Sequence, residues 1–114
     1  MGIKYSIVLV PFLFDDQKQA KIRPALCLTD PIGKFQHIVV AYISSKIHES
    51  TEESDVLLDL NLPDFPITGL HQTSIIKLHR LLTIANDDVR RKLGELPSSL
   101  KTVVQKKIKT LFFE

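Results

Sequence analysis

The length, composition and charge of this chain are those of one small domain. Its 114 residues are 44% hydrophobic, which supplies one apolar core and leaves no room for a second domain, so we expect residues 1–114 to fold as a unit. The single cysteine, Cys27, excludes an intramolecular disulfide, and a net charge of +2 does not by itself indicate a nucleic-acid partner.

The first predicted element is a β-strand near the N-terminus, at residues 7–10. The apolar run around it ends at Pro11 and is far shorter than the roughly 20 residues of a membrane-spanning helix. No small-residue cleavage site of a signal peptide follows it. We therefore expect a cytoplasmic protein without a membrane segment, with Cys27 as a small buried hydrophobic residue in its apolar run.

Further runs of β-branched and apolar residues predict more strands along the middle of the chain. Pro24 is expected at the start of its strand, where a missing N–H does least harm. The segment from Ser74 alternates in part between apolar and polar residues, which indicates a half-buried strand. Prolines and Gly69 predict a loop over residues 61–70. The predicted strands occupy residues 24–29, 37–43, 56–58 and 74–84.

Two helices are predicted after these strands. Residues 86–88 can cap a short helix that runs to Leu93 and stops at Gly94. Pro97 then opens a longer helix whose apolar residues form one stripe, in which Lys107 must extend its stem outward. The pattern is typical of a mainly β (α+β) domain: a small β-barrel with a short helix and a C-terminal α-helix.

Motifs of several common catalytic and metal sites are missing from the sequence. The glycines are too scattered for a loop that cradles phosphate, and the histidines lack the H-E-x-x-H spacing. With one cysteine, a zinc site is not expected either. We therefore predict neither a metal nor a cofactor. Composition and periodicity alone lead no further than a small β-rich domain.

Three segments, taken together and in this order, resemble the MazF/PemK toxin family. The first is a strand, IVLVPF at residues 7–12, followed by a polar loop and Arg-Pro within QKQAKIRPAL at 17–26. The second is VVAYISS at 39–45, an apolar strand that ends in hydroxyl residues. The third begins with GL at 69–70 and continues through TSIIKLHRLLTI at 73–84 to RKLG at 91–94.

This resemblance implies a fold, an activity and partners. Members of the family have an SH3-like barrel, form homodimers and serve as the toxin of a type II toxin–antitoxin pair. They cut single-stranded RNA at specific sequences without a metal, through attack of the ribose 2′-hydroxyl on the adjacent phosphate. The expected partners of this chain are therefore single-stranded RNA, a cognate antitoxin and a second copy of itself.

The resemblance assigns the catalytic roles to Arg23 and Ser44. The family's arginine before proline matches Arg23, and its threonine at the end of the third strand matches Ser44. A guanidinium fits the charge that develops on phosphate during internal attack, and a hydroxyl can donate to the same group. Ser45 is adjacent, but neighbouring side chains of a strand face opposite ways, so only one serine can join Arg23. We favour Ser44.

Cations and polar residues near these two positions form the predicted RNA-binding set. Lysines pair with phosphate as point charges, and aromatic rings stack on unpaired bases. The aromatic candidates are Phe14 and Tyr42. The polar and basic candidates are Lys18, Gln19, Lys21, Ser45, Lys46 and Lys77.

Two alternatives to a ribonuclease stay open at this stage. The same barrel could bind nucleic acid or a protein without catalysis. A less favoured reading is a toxin of the related barrel family that binds DNA gyrase, against which the pairing of Arg23 with Ser44 argues. Likeness of fold alone does not decide among these functions.

Overall fold

A strongly curled antiparallel sheet forms most of the protein. The computed structural model describes residues 2–13, 19–48 and 51–114. In this part of the chain, six strands pair in the order β4-β5-β3-β2-β1-β6 and one α-helix, α1, closes the chain. Their bounds are β1 Ser6–Phe12, β2 Lys21–Cys27, β3 His37–Ser44, β4 Asp55–Leu58, β5 Ser74–Ala85, β6 Arg91–Glu95 and α1 Ser98–Phe113. Short 3-10 helices lie at Phe65–Thr68 and Asn86–Asp88.

Both faces of the sheet pack apolar side chains, because the sheet folds over on itself. Ile7 and Leu26 face each other in the β1–β2 ladder and belong to one core cluster. The next pair, Val8 and Ala25, belongs to a second cluster on the opposite face. This alternation follows the two-residue period of a strand and explains why these segments read as continuous apolar runs.

The bend in the sheet comes from a large irregularity in β5. Ala41 of β3 pairs with Leu81, whereas the next residue, Tyr42, pairs with Lys77. Residues 78–80 are therefore extra on the β5 side of the ladder. Extra residues on one strand bend it and increase its local twist. The N-terminal half of β5 can thus pair with β4 while its C-terminal half follows the start of β3.

The prediction of a mainly β fold with a C-terminal helix is confirmed, but the predicted helix ending at Leu93 is wrong. Asn86–Asp88 form a single 3-10 turn, and the chain then enters β6. Leu9 of β1 pairs there with Arg91, so hydrogen bonding to the edge of the sheet overrides the local capping signal. Pro24 also lies within β2 instead of opening it.

Helix α1 packs on the first core cluster through a narrower stripe than its sequence suggests. Val104 is fully buried, and Leu100 and Ile108 pack against the cluster. Lys107 extends outward as predicted, and its Nζ donates to the carbonyl of Glu53 at 2.7 Å. No helix in the described ranges is long and apolar enough to cross a membrane.

Cys27 is a buried thiol, as the sequence predicts. It is completely inaccessible, and burial raises its pKa from 9.0 to about 11, with a further contribution from the negative charge of Asp30. Asp30 itself accepts hydrogen bonds from the backbone N–H groups of Lys4 and Ile3, which lower its pKa. The thiolate that reactive cysteines require is therefore strongly disfavoured at Cys27.

Candidate functional site

A cavity of about 510 Å³ opens where β2 and β3 separate. The β2–β3 ladder runs from Cys27–Val40 to Ala25–Tyr42 and is not continued at Pro24. Proline has no N–H to donate, so it cannot extend the ladder toward β3. Residues 21–24 of β2 therefore pair with β1 alone, and the gap beside them forms the cavity.

The two predicted catalytic residues lie on either side of this gap. Continuing the β2–β3 register by two residues sets Arg23 opposite Ser44, and both line the cavity. Because opposite residues in an antiparallel pair project from the same face, the two side chains leave their strands on one side of the sheet. The position of Pro24 next to Arg23 thus explains why the arginine borders an opening rather than a closed ladder.

Arg23 is half-buried and keeps its guanidinium available to the cavity. Its Nη1 donates to the carbonyl of Ile22 at 2.9 Å, and no hydrogen bond or ion pair to a carboxylate is found for it in the described ranges. Its stem lies opposite Val10 in the β1–β2 ladder, which fixes the base of the side chain. An arginine held in this way can direct several N–H donors toward an anion.

Ser44 and Ser45 both line the cavity, but in different environments. Ser44 ends β3 and is 2% exposed, and its Oγ accepts a hydrogen bond from the backbone N–H of Lys46 at 3.1 Å. Ser45 is exposed and lies one residue beyond the strand. The hydroxyl proton of Ser44 is not used in the bond to Lys46, so it can still be donated to a bound group.

Two of the six predicted RNA-binding residues, Ser45 and Lys46, line the cavity. Both are exposed. Gln19 precedes β2 and Lys21 begins it, and both are exposed and lie outside the lining. Lys18 and Phe14 lie outside the described residues.

Lys77 has a different environment from the rest of that set. It is 6% exposed, and its Nζ lies 2.9 Å from Oδ2 of Asp55, which is buried as well. Asp55 also accepts a hydrogen bond from the backbone N–H of Glu52 at 2.7 Å. A buried ammonium held by a carboxylate is not available to phosphate, so we leave Lys77 out of the RNA-binding set.

The cavity lining carries positive charge without a described acidic residue. Arg23, Lys46 and Arg91 supply the charge, and His71 adds an imidazole. Clustered cations without neighbouring carboxylates give a positive potential that attracts anions. The described lining residues are Leu9, Ile22, Arg23, Pro24, Tyr42, Ile43, Ser44, Ser45, Lys46, Gly69, Leu70, His71, Gln72, Ser74, Arg91 and Leu93.

Sequence reasoning missed Arg91 and the loop from Gly69 to Gln72 as parts of this site. The sequence predicts a helix at Arg91, but this residue lies on β6, which brings it beside Leu9. The sequence of the loop predicts only a connection, because no motif in it indicates that it lies beside β2 and β3. The one signal in the sequence is Gly69, because a glycine in a loop indicates a backbone conformation that other residues disfavour. In the structure its φ of 73° lies in the left-handed region.

Tyr42 connects the cavity to an aromatic cluster. Its ring lies 5.2 Å from the ring of Phe12, and the guanidinium carbon of Arg80 lies 5.0 Å from its centroid. Contacts of this kind hold a ring in one orientation. Tyr42 also lines the cavity, so part of its surface is open to it.

A second cavity of about 640 Å³ lies between α1 and the entry to β4. Its lining mixes acids with bases, including Glu52, Glu53, Lys106 and Lys107. This mixture does not favour a polyanion, in contrast to the cavity at Arg23. Among the described residues, no group of three or more histidine, cysteine or acidic side chains is placed to hold a metal.

Comparison with known proteins agrees with this architecture. The structure is similar to the Mycobacterium tuberculosis toxin MazF-mt6, with a TM-score of 0.71 and 24% identity over 94% of this chain and 95% of that chain. It is also similar to the crystal structure of an Mtb toxin, with a TM-score of 0.68 and 21% identity over 93% and 99% of the two chains. Comparison of the sequence with curated proteins gives no match. The model of the PemK-like, MazF-like toxins of type II toxin–antitoxin systems matches residues 4–112, and the chain therefore belongs to this family.

Proposed function

We propose that this toxin is a metal-independent endoribonuclease that cleaves single-stranded RNA at a specific short sequence. The observation that supports this most is the cavity between β2 and β3, where Arg23 and Ser44 border a positively charged opening. RNA presents a phosphate with the 2′-hydroxyl beside it, so a site that binds the phosphate can promote internal attack. Arg23 is placed to stabilise the charge that develops on the phosphate, and Ser44 to donate a second hydrogen bond.

Single-stranded RNA fits this cavity better than a duplex does. Bases that are not paired can turn outward and stack on an aromatic ring, whereas the A-form duplex hides most base edges in a deep groove. Tyr42 supplies a phenol ring to the described lining. Its orientation is set by Phe12 and Arg80, which makes it a suitable platform for a base next to the scissile phosphate.

The proposal extends to the partners and the location that the family implies. The toxin acts as a homodimer in the cytoplasm, and a cognate protein antitoxin neutralises it. An antitoxin segment rich in acidic residues would complement the cations of the cavity and block access of RNA. Sedimentation equilibrium tests the dimer directly, since one chain has a mass of 12.9 kDa.

The test of the activity is incubation of the purified protein with a long single-stranded RNA in the presence of EDTA. We expect cuts at a recurring short motif, with a 2′,3′-cyclic phosphate on one side and a 5′-hydroxyl on the other. Ser44→Ala should weaken the cleavage, and Ser45→Ala should weaken it less, because Ser44 lies opposite Arg23 in the continued register. RNA that is bound but stays intact would instead support a binding module without catalysis.

A further inference from the structure

The loop that leads into β5 brings a histidine to the cavity. Its first residue, Gly69, has a φ of 73°, and a Cβ there would lie 2.0 Å from the carbonyl oxygen of Leu93 on β6. Only glycine can adopt this conformation at so close an approach. The backbone N–H of Gly69 donates to the carbonyl of Pro66 at 3.2 Å. The start of the loop is therefore pressed against the strand that also carries Arg91 into the cavity.

The other end of the loop is held by hydroxyl side chains. Oγ1 of Thr73 accepts a hydrogen bond from the backbone N–H of Leu60 at 3.0 Å, and Oγ of Ser74 donates to the carbonyl of Gln72 at 3.0 Å. The next residue, Ile75, lies opposite Ser44 in the β3–β5 ladder. The loop is thus anchored on both sides of His71 and enters β5 beside Ser44.

His71 differs from the other ionisable groups of the cavity in the chemistry it can perform. A guanidinium and an ammonium offer N–H donors and no acceptor, and a phenolic hydroxyl is a poor proton acceptor. The cavity groups concerned are Arg23, Lys46, Arg91 and Tyr42. Imidazole can accept a proton between about pH 5 and 8. Among the described lining residues, His71 alone can therefore act as a general base near neutral pH.

We propose that His71 is the general base of the RNA cleavage, a role that rests on the function proposed above. Neutral imidazole removes the proton from the 2′-hydroxyl as O2′ forms its bond to phosphorus. The bond from phosphorus to the 5′-oxygen breaks, and that oxygen takes a proton from water. Imidazolium then returns its proton to solvent, so the overall reaction neither consumes nor releases protons. Arg23 and Ser44 stabilise the phosphate while His71 moves the proton.

The test measures single-turnover cleavage of a short RNA with one mapped cut site for wild type, His71→Ala and His71→Gln. We expect both variants to cleave about 100-fold more slowly or worse, as is typical when a general base is removed. In the wild type the rate should rise with pH and then level off as the general base loses its proton, and the variants should lack this limb. Added imidazole should restore part of the rate to His71→Ala.

The matched control is His48→Ala, because His48 is an exposed histidine outside the cavity lining. It should keep the wild-type rate and pH profile. Binding of the same RNA with a 2′-O-methyl group at the cut site should be unchanged in His71→Ala, which separates chemistry from affinity. Wild-type rate and pH dependence in His71→Ala would overturn this role and leave the proposed function intact. A wild-type protein that cleaves no RNA would overturn both.

Discussion

Replacing Arg23 by alanine is expected to slow RNA cleavage about 100- to 1,000-fold, the loss seen when one preorganised donor to a developing oxyanion is removed. In this structure Arg23 borders the cavity with its guanidinium bonded to the carbonyl of Ile22 and to no described acid. Phosphate can therefore bind it without breaking an ion pair. Arg23→Lys keeps the charge but loses the planar fork of donors, so we expect it to recover only part of the rate.

The control for Arg23→Ala is Arg90→Ala, which removes the same charge from an exposed position outside the cavity lining. It should cleave RNA at the wild-type rate. Single-turnover kinetics give the comparison, and circular dichroism checks that both variants fold. In the described ranges, neither the Arg23 nor the Arg90 side chain makes a hydrogen bond to a core residue, so both variants should fold. Equal loss in the two variants would mean that net charge, rather than the position of Arg23, governs the reaction.

The largest expected effect on stability comes from Lys77→Met. This change leaves Asp55 buried without its ammonium partner, and breaking a buried pair from one side typically costs about 3–5 kcal/mol. The described contacts left to Asp55 are the backbone N–H of Glu52 at 2.7 Å and His79, whose Nδ1 lies 4.0 Å from Oδ1, beyond hydrogen-bonding distance. A small domain is stable by only about 5–15 kcal/mol, so the loss should be obvious in urea unfolding.

Two further variants show whether the ion pair is the cause. Lys92→Met removes an exposed partner of Glu95, where both side chains are more than half exposed, and should change stability by less than about 1 kcal/mol. Asp55→Leu combined with Lys77→Met should regain much of the lost stability, because no buried charge is left unpaired. If Lys77→Met were as stable as the wild type and instead bound RNA more weakly, the original assignment of Lys77 to the RNA surface would be correct.

More of the fold than of the functional site can be predicted from the sequence. Continuous runs of apolar and β-branched residues predict the strands, because β1, β3 and the end of β2 are buried on both faces of the sheet. The strand β6 is not predicted, because residues 86–88 provide a local helix-capping signal. The pairing of Leu9 with Arg91, which forms this strand, is a contact between distant parts of the chain. Signals of the second kind are not visible in a window of neighbouring residues.

The residues of the site likewise include some that the sequence predicts and some that depend on contacts between distant parts of the chain. Arg23 and Ser44 are identified through the resemblance to the family, which matches the arginine of the Arg-Pro motif and the hydroxyl residue at the end of an apolar strand. The opening between them depends on Pro24, which interrupts the ladder toward β3. His71 has no such motif, and its place in the cavity depends on the contact between Gly69 and Leu93. That contact exists only once the sheet has curled.

The most direct test of the central claim is the structure of this protein bound to an RNA that cannot be cleaved, with a 2′-O-methyl group at the mapped cut site. We predict that the phosphate next to this group lies in the cavity between β2 and β3, within hydrogen-bonding distance of the Arg23 guanidinium and of Oγ of Ser44. RNA bound instead in the cavity between α1 and β4, with Arg23 and Ser44 untouched, would contradict the claim.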